Sequence, residues 1–277
     1  MKPSILILFL GLLLACFSCS NQITYNSNKP LTVSSTKHYK LLNKEKAILL
    51  INKMTDDEKL NKFVAADFRS HDNNLKDNAS NFVGDQNTTP YRSVEVIRVI
   101  ADNDLVATHS IARGEKTEIR FDVFKFWNGQ VIEHWSNVQD SIGVNPQGHS
   151  HTDGPVRPKD IEYTDDNRKR VTDFVTDCLI DKKGSSLGYF RFNHYIQHNP
   201  EIGDGFTGMF FRFLKMKKDK KTIQYTKLNT VIAEGDFVLA VSEGLINERP
   251  TLFYDLFRLE KNKIVEHWDV VDSMGYE

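Results

Sequence analysis

The sequence predicts an α+β protein made of two tandem domains, and three observations carry that prediction. The tripeptide Glu-His-Trp occurs twice, as Glu133-His134-Trp135 and as Glu266-His267-Trp268. Each copy ends a similar hairpin. One reads Phe121-Asp122-Val123-Phe124-Lys125-Phe126 with a turn at Asn128-Gly129; the other reads Phe253-Tyr254-Asp255-Leu256-Phe257-Arg258-Leu259 with a turn near Lys261-Asn262. Aligning Asp122 with Asp255 also aligns Glu133 with Glu266, and upstream Val99-Ile100-Ala101 answers Val231-Ile232-Ala233. In each half a helical period comes first and a run of strands follows, the order of helices packed on one face of a curved antiparallel sheet. The copies differ at one chemically important position: Trp135 is followed by Ser136, and Trp268 by Asp269.

Composition agrees with two ordinary folded domains. The chain has 277 residues, 40% hydrophobic and 26% charged, which is globular rather than disordered. With 36 basic and 37 acidic residues the net charge is -1, so there is no electrostatic case for nucleic acid as a partner. Three cysteines, two of them near the N-terminus, exclude a disulfide framework. The third, Cys178, reads as a small buried hydrophobe in a helical stretch.

Taken in order, the chain opens with Lys2 and an apolar run over 5–15, too short to span a membrane and suited to a signal peptide. The run ends in Leu13-Leu14-Ala15-Cys16, which resembles the lipobox of bacterial lipoproteins. That resemblance implies a signal peptide over 1–16, a lipid on Cys16 (with Cys19 as the alternative) and a place in the bacterial cell envelope, periplasmic or outer-membrane. Residues 17–38, rich in Ser, Thr and Asn, read as a flexible tether. A first domain is expected over 39–143. Its helix at 41–54 carries Ala47, Ile48, Leu50, Ile51 and Met54. A second helix opens at the capping box Thr55-Asp56-Asp57-Glu58 and carries Leu60, Phe63, Val64 and Phe68. Strands follow at 94–101, 105–112, 118–127 and 130–138; Asn128-Gly129 is a strong hairpin signal. Residues 144–163 form a linker with Pro146, Gly148, Gly154, Pro155 and Pro158. Its His149 and His151 are read as residues of a solvated loop, with a metal pair as the lesser reading. The second domain spans 164–277, with helices at 167–182, 190–196 and 206–216, then strands at 224–233, 237–247, 251–260 and 263–271.

Tyr195-Ile196-Gln197-His198-Asn199-Pro200 with Gly203-Asp204-Gly205, and the hairpin from Phe253 to Asp269, resemble the SnoaL-like branch of the nuclear-transport-factor-2-like superfamily. The likeness covers nearly all of the second domain. In the first it is confined to the hairpin and, loosely, to His71-Asp72. It implies two cones, each a bent sheet around a pocket closed by helices, that of the second domain the better preserved. It implies function only weakly, because such folds serve cyclases, isomerases, dehydratases and binding domains alike.

Alternation along the last strand puts Val265, His267, Asp269 and Val271 on one face and Glu266, Trp268 and Val270 on the other. If the first face lines the cone, Asp269 is a desolvated carboxylate able to remove a proton alpha to a carbonyl. The resemblance gives Asp269 that role, with His267 to orient it or to protonate the enolate oxygen, and His198 and Asn199 at the rim. Tyr195 and Asp255 complete the expected substrate-binding set. A simple two-residue turn would put Asp255 on the wrong face, whereas one bulge residue would bring it level with Asp269. Trp135 and Trp268 are read as packing residues. No cofactor and no metal are expected. The reading is an envelope lipoprotein performing cofactor-free acid–base chemistry on a small apolar carbonyl compound, its first domain non-catalytic. The alternative is a lipoprotein that binds a small ligand or another protein without turnover. Pairing of the cones, within the chain or as a dimer, belongs to both readings.

Overall fold

The computed structural model describes residues 36–52, 62–71, 91–183 and 185–272. The expected signal peptide, both N-terminal cysteines, the expected capping box at 55–58 and Asp72 lie outside them. The described residues form two five-stranded sheets flanked by helices, an α+β architecture in which the two sheets share one strand order.

Helix α1 (Thr36–Asn52) precedes the first sheet, which comprises β1 (Val64–Ser70), β2 (Tyr91–Asp102), β3 (Leu105–Gly114), β4 (Thr117–Trp127) and β5 (Gln130–Asp140) in the order β1-β5-β4-β3-β2. The second half holds α2 (Thr164–Asp173), continued by a π-helical turn (Phe174–Ile180), then β6 (Ile196–Gln197), α3 (Gly205–Lys218), β7 (Ile223–Glu234), β8 (Phe237–Ile246), β9 (Arg249–Glu260) and β10 (Lys263–Asp272). Its sheet runs β6-β10-β9-β8-β7. All pairings are antiparallel except the edge strands β1 and β6, which run parallel to β5 and β10.

Where they are described, two helices expected from the sequence are strands or turns. Phe63, Val64 and Phe68 have a helix-compatible spacing, yet Val64–Ser70 extends along β5, where Val64 and Phe68 are buried in the core beside α1. The stretch 190–196 holds a bridge from Phe190 to Ile264, a single 3-10 turn and the start of β6. Both segments gain more from satisfying the open edge of a last strand than from a short helix of their own.

The core is layered. Ala47, Leu50 and Ile51 of α1 pack on one face of the first sheet, against Phe124, Phe126 and Val131. Val171, Phe174, Val175 and Cys178 pack likewise on the second sheet, against Phe257, Leu259 and Ile264. Between the sheets lies a third cluster with Phe121, Val123 and Trp135 from one side and Tyr254, Leu256, Trp268 and Val270 from the other. Each sheet thus has a helix-covered face and a face against the other sheet, and period-two alternation sorts its side chains between them. Burial pushes up the pKa of the free Cys178 thiol, with Asp177 adding to the effect, which suits a packing residue. No described helix is long and apolar enough to cross a membrane.

Candidate active site

The hairpin of β9 and β10 fixes the first contacts. Its register shifts between Ile264 and Glu266, leaving Val265 as the extra residue, and beyond this bulge Asp255 lies directly opposite Asp269 and Phe257 opposite His267. Asp255, His267 and Asp269 consequently share the helix-covered face, all of them buried. His267 Nε2 is 3.0 Å from Asp255 Oδ1, and the imidazole stacks on Phe257 at 4.8 Å. Tyr225 on β7 donates its hydroxyl to the other Asp255 oxygen at 3.0 Å.

The edge strand supplies the rest. Gln197 is paired with His267 across β6 and β10, and its amide meets His267 Nδ1 with the nitrogen at 3.0 Å and the oxygen at 3.2 Å. This amide can accept from a protonated Nδ1 or donate to a bare one, so the buried ring can change protonation without losing a partner. Gln197 also donates to the Tyr195 hydroxyl at 3.0 Å and accepts the backbone N–H groups of His198 and Asn199. Asn199 donates to both carboxylate oxygens of Asp269, at 3.1 and 2.9 Å.

Burial opposes the charged form of His267, but the hydrogen bond and charge of Asp255, with Asp269 behind it, hold the imidazole above its usual range. Burial raises the Asp255 carboxyl, and the neighbouring Asp269 adds to this against the opposing pull of His267 and Tyr225. The Tyr225 and Tyr195 hydroxyls are pushed far up by burial and by the two carboxylates, so both stay neutral donors. Among the described residues no lysine or arginine pairs with Asp255 or Asp269. The ligand atoms of Asp255, His267 and Asp269 lie within 4.8 Å of one another, a spacing that also suits a cation.

Four of the expected residues, Tyr195, Asn199, Asp255 and Asp269, thus meet around His267. His198 does not join them. Successive strand residues face opposite ways, and His198 lies on the far side of the sheet, 2.9 Å from Glu266 and stacked on Trp268 at 4.4 Å. Its expected place at the rim, donating to a carbonyl, is corrected accordingly. Cys16 is outside the described residues. Sequence reasoning missed Gln197 and Tyr225. Gln197 stands in the motif already singled out, and alternation from His198 could have found it; Tyr225 carries no local signal. A cavity of about 590 Å³ is lined by Tyr195 and Val265 together with Arg191, His194, Asp204, Arg258 and Glu260; of the residues around His267 only Tyr195 reaches it.

The first sheet repeats the framework with a different charge pattern. His134 Nε2 is 2.9 Å from Asp122, as His267 is from Asp255, and His71 stacks on Trp135 and reaches Glu133 at 3.1 Å, as His198 does with Trp268 and Glu266. The tripeptide is thus a structural module: its Glu and Trp hold one histidine on one face while its own histidine holds an aspartate on the other. Two residues before that aspartate the copies diverge, with Arg120 in one and Phe253 in the other. Burial works against the ionised Asp122, yet Arg120 at 2.9 Å overrides it and holds the carboxyl at about 2.

The sequence matches no family model and no curated protein. Among solved structures, a candidate ketosteroid isomerase from Kribbella flavida DSM 17836 is similar at 16% identity, over 42% of this chain and 94% of its own, with a TM-score of 0.30. TsrD from Streptomyces laurentii is similar at 20% identity, over 40% of this chain and 91% of its own, with a TM-score of 0.31.

Proposed function

We propose that the second domain is a cofactor-free acid–base site for a small, mostly apolar carbonyl compound, of the isomerase, cyclase or aldol type. The observation that carries this reading is the contrast between the halves. In the first, a buried guanidinium neutralises the buried aspartate; in the second, Phe253 replaces it, and among the described residues two carboxylates flank one imidazole with no lysine or arginine beside them. A guanidinium beside a carboxylate weakens it as a base. Asp269, aimed by Asn199, is the base. His267, charged through Asp255, offers its proton or its field to the developing enolate oxygen. Gln197 keeps Nδ1 satisfied in either state. Asp122 is too weak a base for this chemistry, so the first domain supports rather than catalyses.

The test is proton exchange. Enolisable ketones of graded size are incubated with the protein in D2O, and loss of the alpha-proton signal is followed by NMR. The reading expects exchange above buffer for at least one ketone, lost in Asp269→Asn and retained in Asp122→Asn. Exchange equal in wild type and Asp269→Asn would remove the enzyme reading.

A binding role without turnover is the second reading, favoured by α3, which exposes Phe206, Phe210, Phe211 and Leu214. Anchoring through a lipid on Cys16 in the bacterial envelope is also part of the proposal, on the strength of the sequence resemblance alone. Mass spectrometry of the mature N-terminus, with Cys16→Ser and Cys19→Ser compared, tests it.

A further inference from the structure

A second group of ionisable side chains lies on the opposite side of the second sheet, where the linker crosses it. His149 and Asp153 come from the linker, and His198 follows β6. His198 Nδ1 is 2.7 Å from Asp153 Oδ1 and 2.8 Å from the Ser150 carbonyl oxygen. His149 Nδ1 is 3.2 Å from Asp153 Oδ2. The ligand atoms of the three side chains lie within 4.8 Å of one another.

The far nitrogens are held just as consistently. His198 Nε2 is 2.9 Å from Glu266 Oε1, and His149 Nε2 is 3.2 Å from Asp204 Oδ2. Those carboxylates are fixed in turn: Glu266 by Arg258 at 2.6 Å, Asp204 by Asn145 at 2.9 Å. A neutral imidazole has one N–H to give. If each ring gives it to its far carboxylate, both Nδ1 lone pairs point at the oxygens of Asp153 and Ser150, and acceptors face acceptors. A cation at the centre turns this repulsion into coordination. Carboxylates behind the far nitrogens are the usual way of fixing the tautomer and direction of metal-binding histidines.

We infer that His149 Nδ1, His198 Nδ1, the Asp153 carboxylate and the Ser150 carbonyl form a binding site for a divalent transition ion, Zn2+ being the first to test. The mixed nitrogen and oxygen set suits Zn2+ and is poorly matched to Ca2+ or Mg2+, which take oxygen. His198 is 1% exposed, while His149 and Asp153 keep 30% and 43% of their side-chain surface, so the ion has an entry route and room for a water. The ion ties the linker to the second sheet. It is separate from the acid–base site, because Glu266 and His198 face away from His267 and Asp269.

The untagged full-length chain is titrated with Zn2+ by calorimetry near neutral pH, with Co2+ absorption as a second readout. The expected result is one equivalent bound through this cluster and a Tm that rises with free Zn2+. Affinity falls by about 10-fold or more in His149→Ala and Asp153→Asn, and by about 10–100-fold in Glu266→Gln, which weakens the support behind His198 together with the ion pair to Arg258. His149→Ala and Asp153→Asn alter partly exposed side chains of the linker and touch neither apolar core. Three outcomes overturn the assignment: no saturable binding, binding that survives both linker variants, or binding abolished by Asp255→Asn or Asp269→Asn instead. A nitrogen-15 spectrum with His198 doubly protonated in the presence of Zn2+ would do the same, because the cluster would then be closed by protons.

Discussion

Arg120 and Phe253 occupy matching positions in the two sheets, and this one exchange sets the charge of each buried face. Truncating the guanidinium leaves Asp122 in the core with His134 as its remaining partner, so Arg120→Leu costs about 3–5 kcal/mol, and Asp122→Asn added to it recovers part of the loss; urea unfolding of both variants measures this. The Asp122 carboxyl is lowered from 3.8 to about 2, so its stabilisation is present above about pH 4 and is lost as pH falls towards 2. His267 runs the other way. Its pKa is raised above 6.5, so its contribution is complete below pH 6.5 and is lost as pH rises through the raised value. Asp255→Asn therefore brings the His267 titration, followed by its ring C–H shifts in NMR, down towards or below 6.5 and removes that pH slope from the stability; an unmoved titration would mean that Asp255 is not what charges the ring. Alternation made the common face of His267 and Asp269 legible in sequence. The place of Asp255 was not, because it depends on one bulged residue, Val265, whose type signals nothing. Tyr225 and Gln197 arrive from strands whose pairing only the assembled sheet specifies.

Among the elements, the long hairpins were readable and the edge strands were not. Period-two runs and a compact Asn-Gly turn specify β4–β5 from local sequence, whereas β1 and β6 exist because β5 and β10 offer unpaired backbone groups. The spacing of Phe63, Val64 and Phe68 fits either period, and tertiary pairing decides. The segment joining β6 to α3 is equally constrained. A Cβ at Gly208 would sit 1.8 Å from the Gly203 carbonyl oxygen, so the loop that follows Asn199 folds directly onto the first turn of α3. Gly208→Ala should push that loop outward and cost about 1–3 kcal/mol. Because Asn199 holds Asp269, faster hydrogen exchange at 199–205 in this variant should coincide with a loss of alpha-proton exchange activity. Normal exchange at those amides would show that the helix moves instead of the loop.

At the scale of the whole molecule the two halves are joined by buried polar groups as well as by the apolar layer between the sheets. Asn137 of β5 donates to the carbonyl oxygens of Leu252 and Val270 at 3.1 and 2.9 Å, and Gln139 donates to the Asp269 carbonyl and accepts from Val271 N–H. Asn137→Ala strands two carbonyls in the interface and should lower stability by about 1–3 kcal/mol, read as a shift in denaturation midpoint. Arg98 of β2 reaches across as well: it donates to the backbone oxygens of Thr152 and Pro155 and lies over Trp268 at 4.2 Å. The sequence read as a loose linker what the structure packs down, with Asn145 and His151 buried, because proline and glycine report backbone punctuation and not what the segment rests against. The placing of Trp268 has an optical consequence. Its indole lies 4.4 Å from the His198 imidazole and 4.2 Å from the Arg98 guanidinium, and a change of charge on a ring in face contact alters indole emission. Trp135 lies against His71 in the same way at 4.7 Å, so in Trp135→Phe the emission of the remaining ring-stacked indole reports, without a label, on an ion arriving at His198.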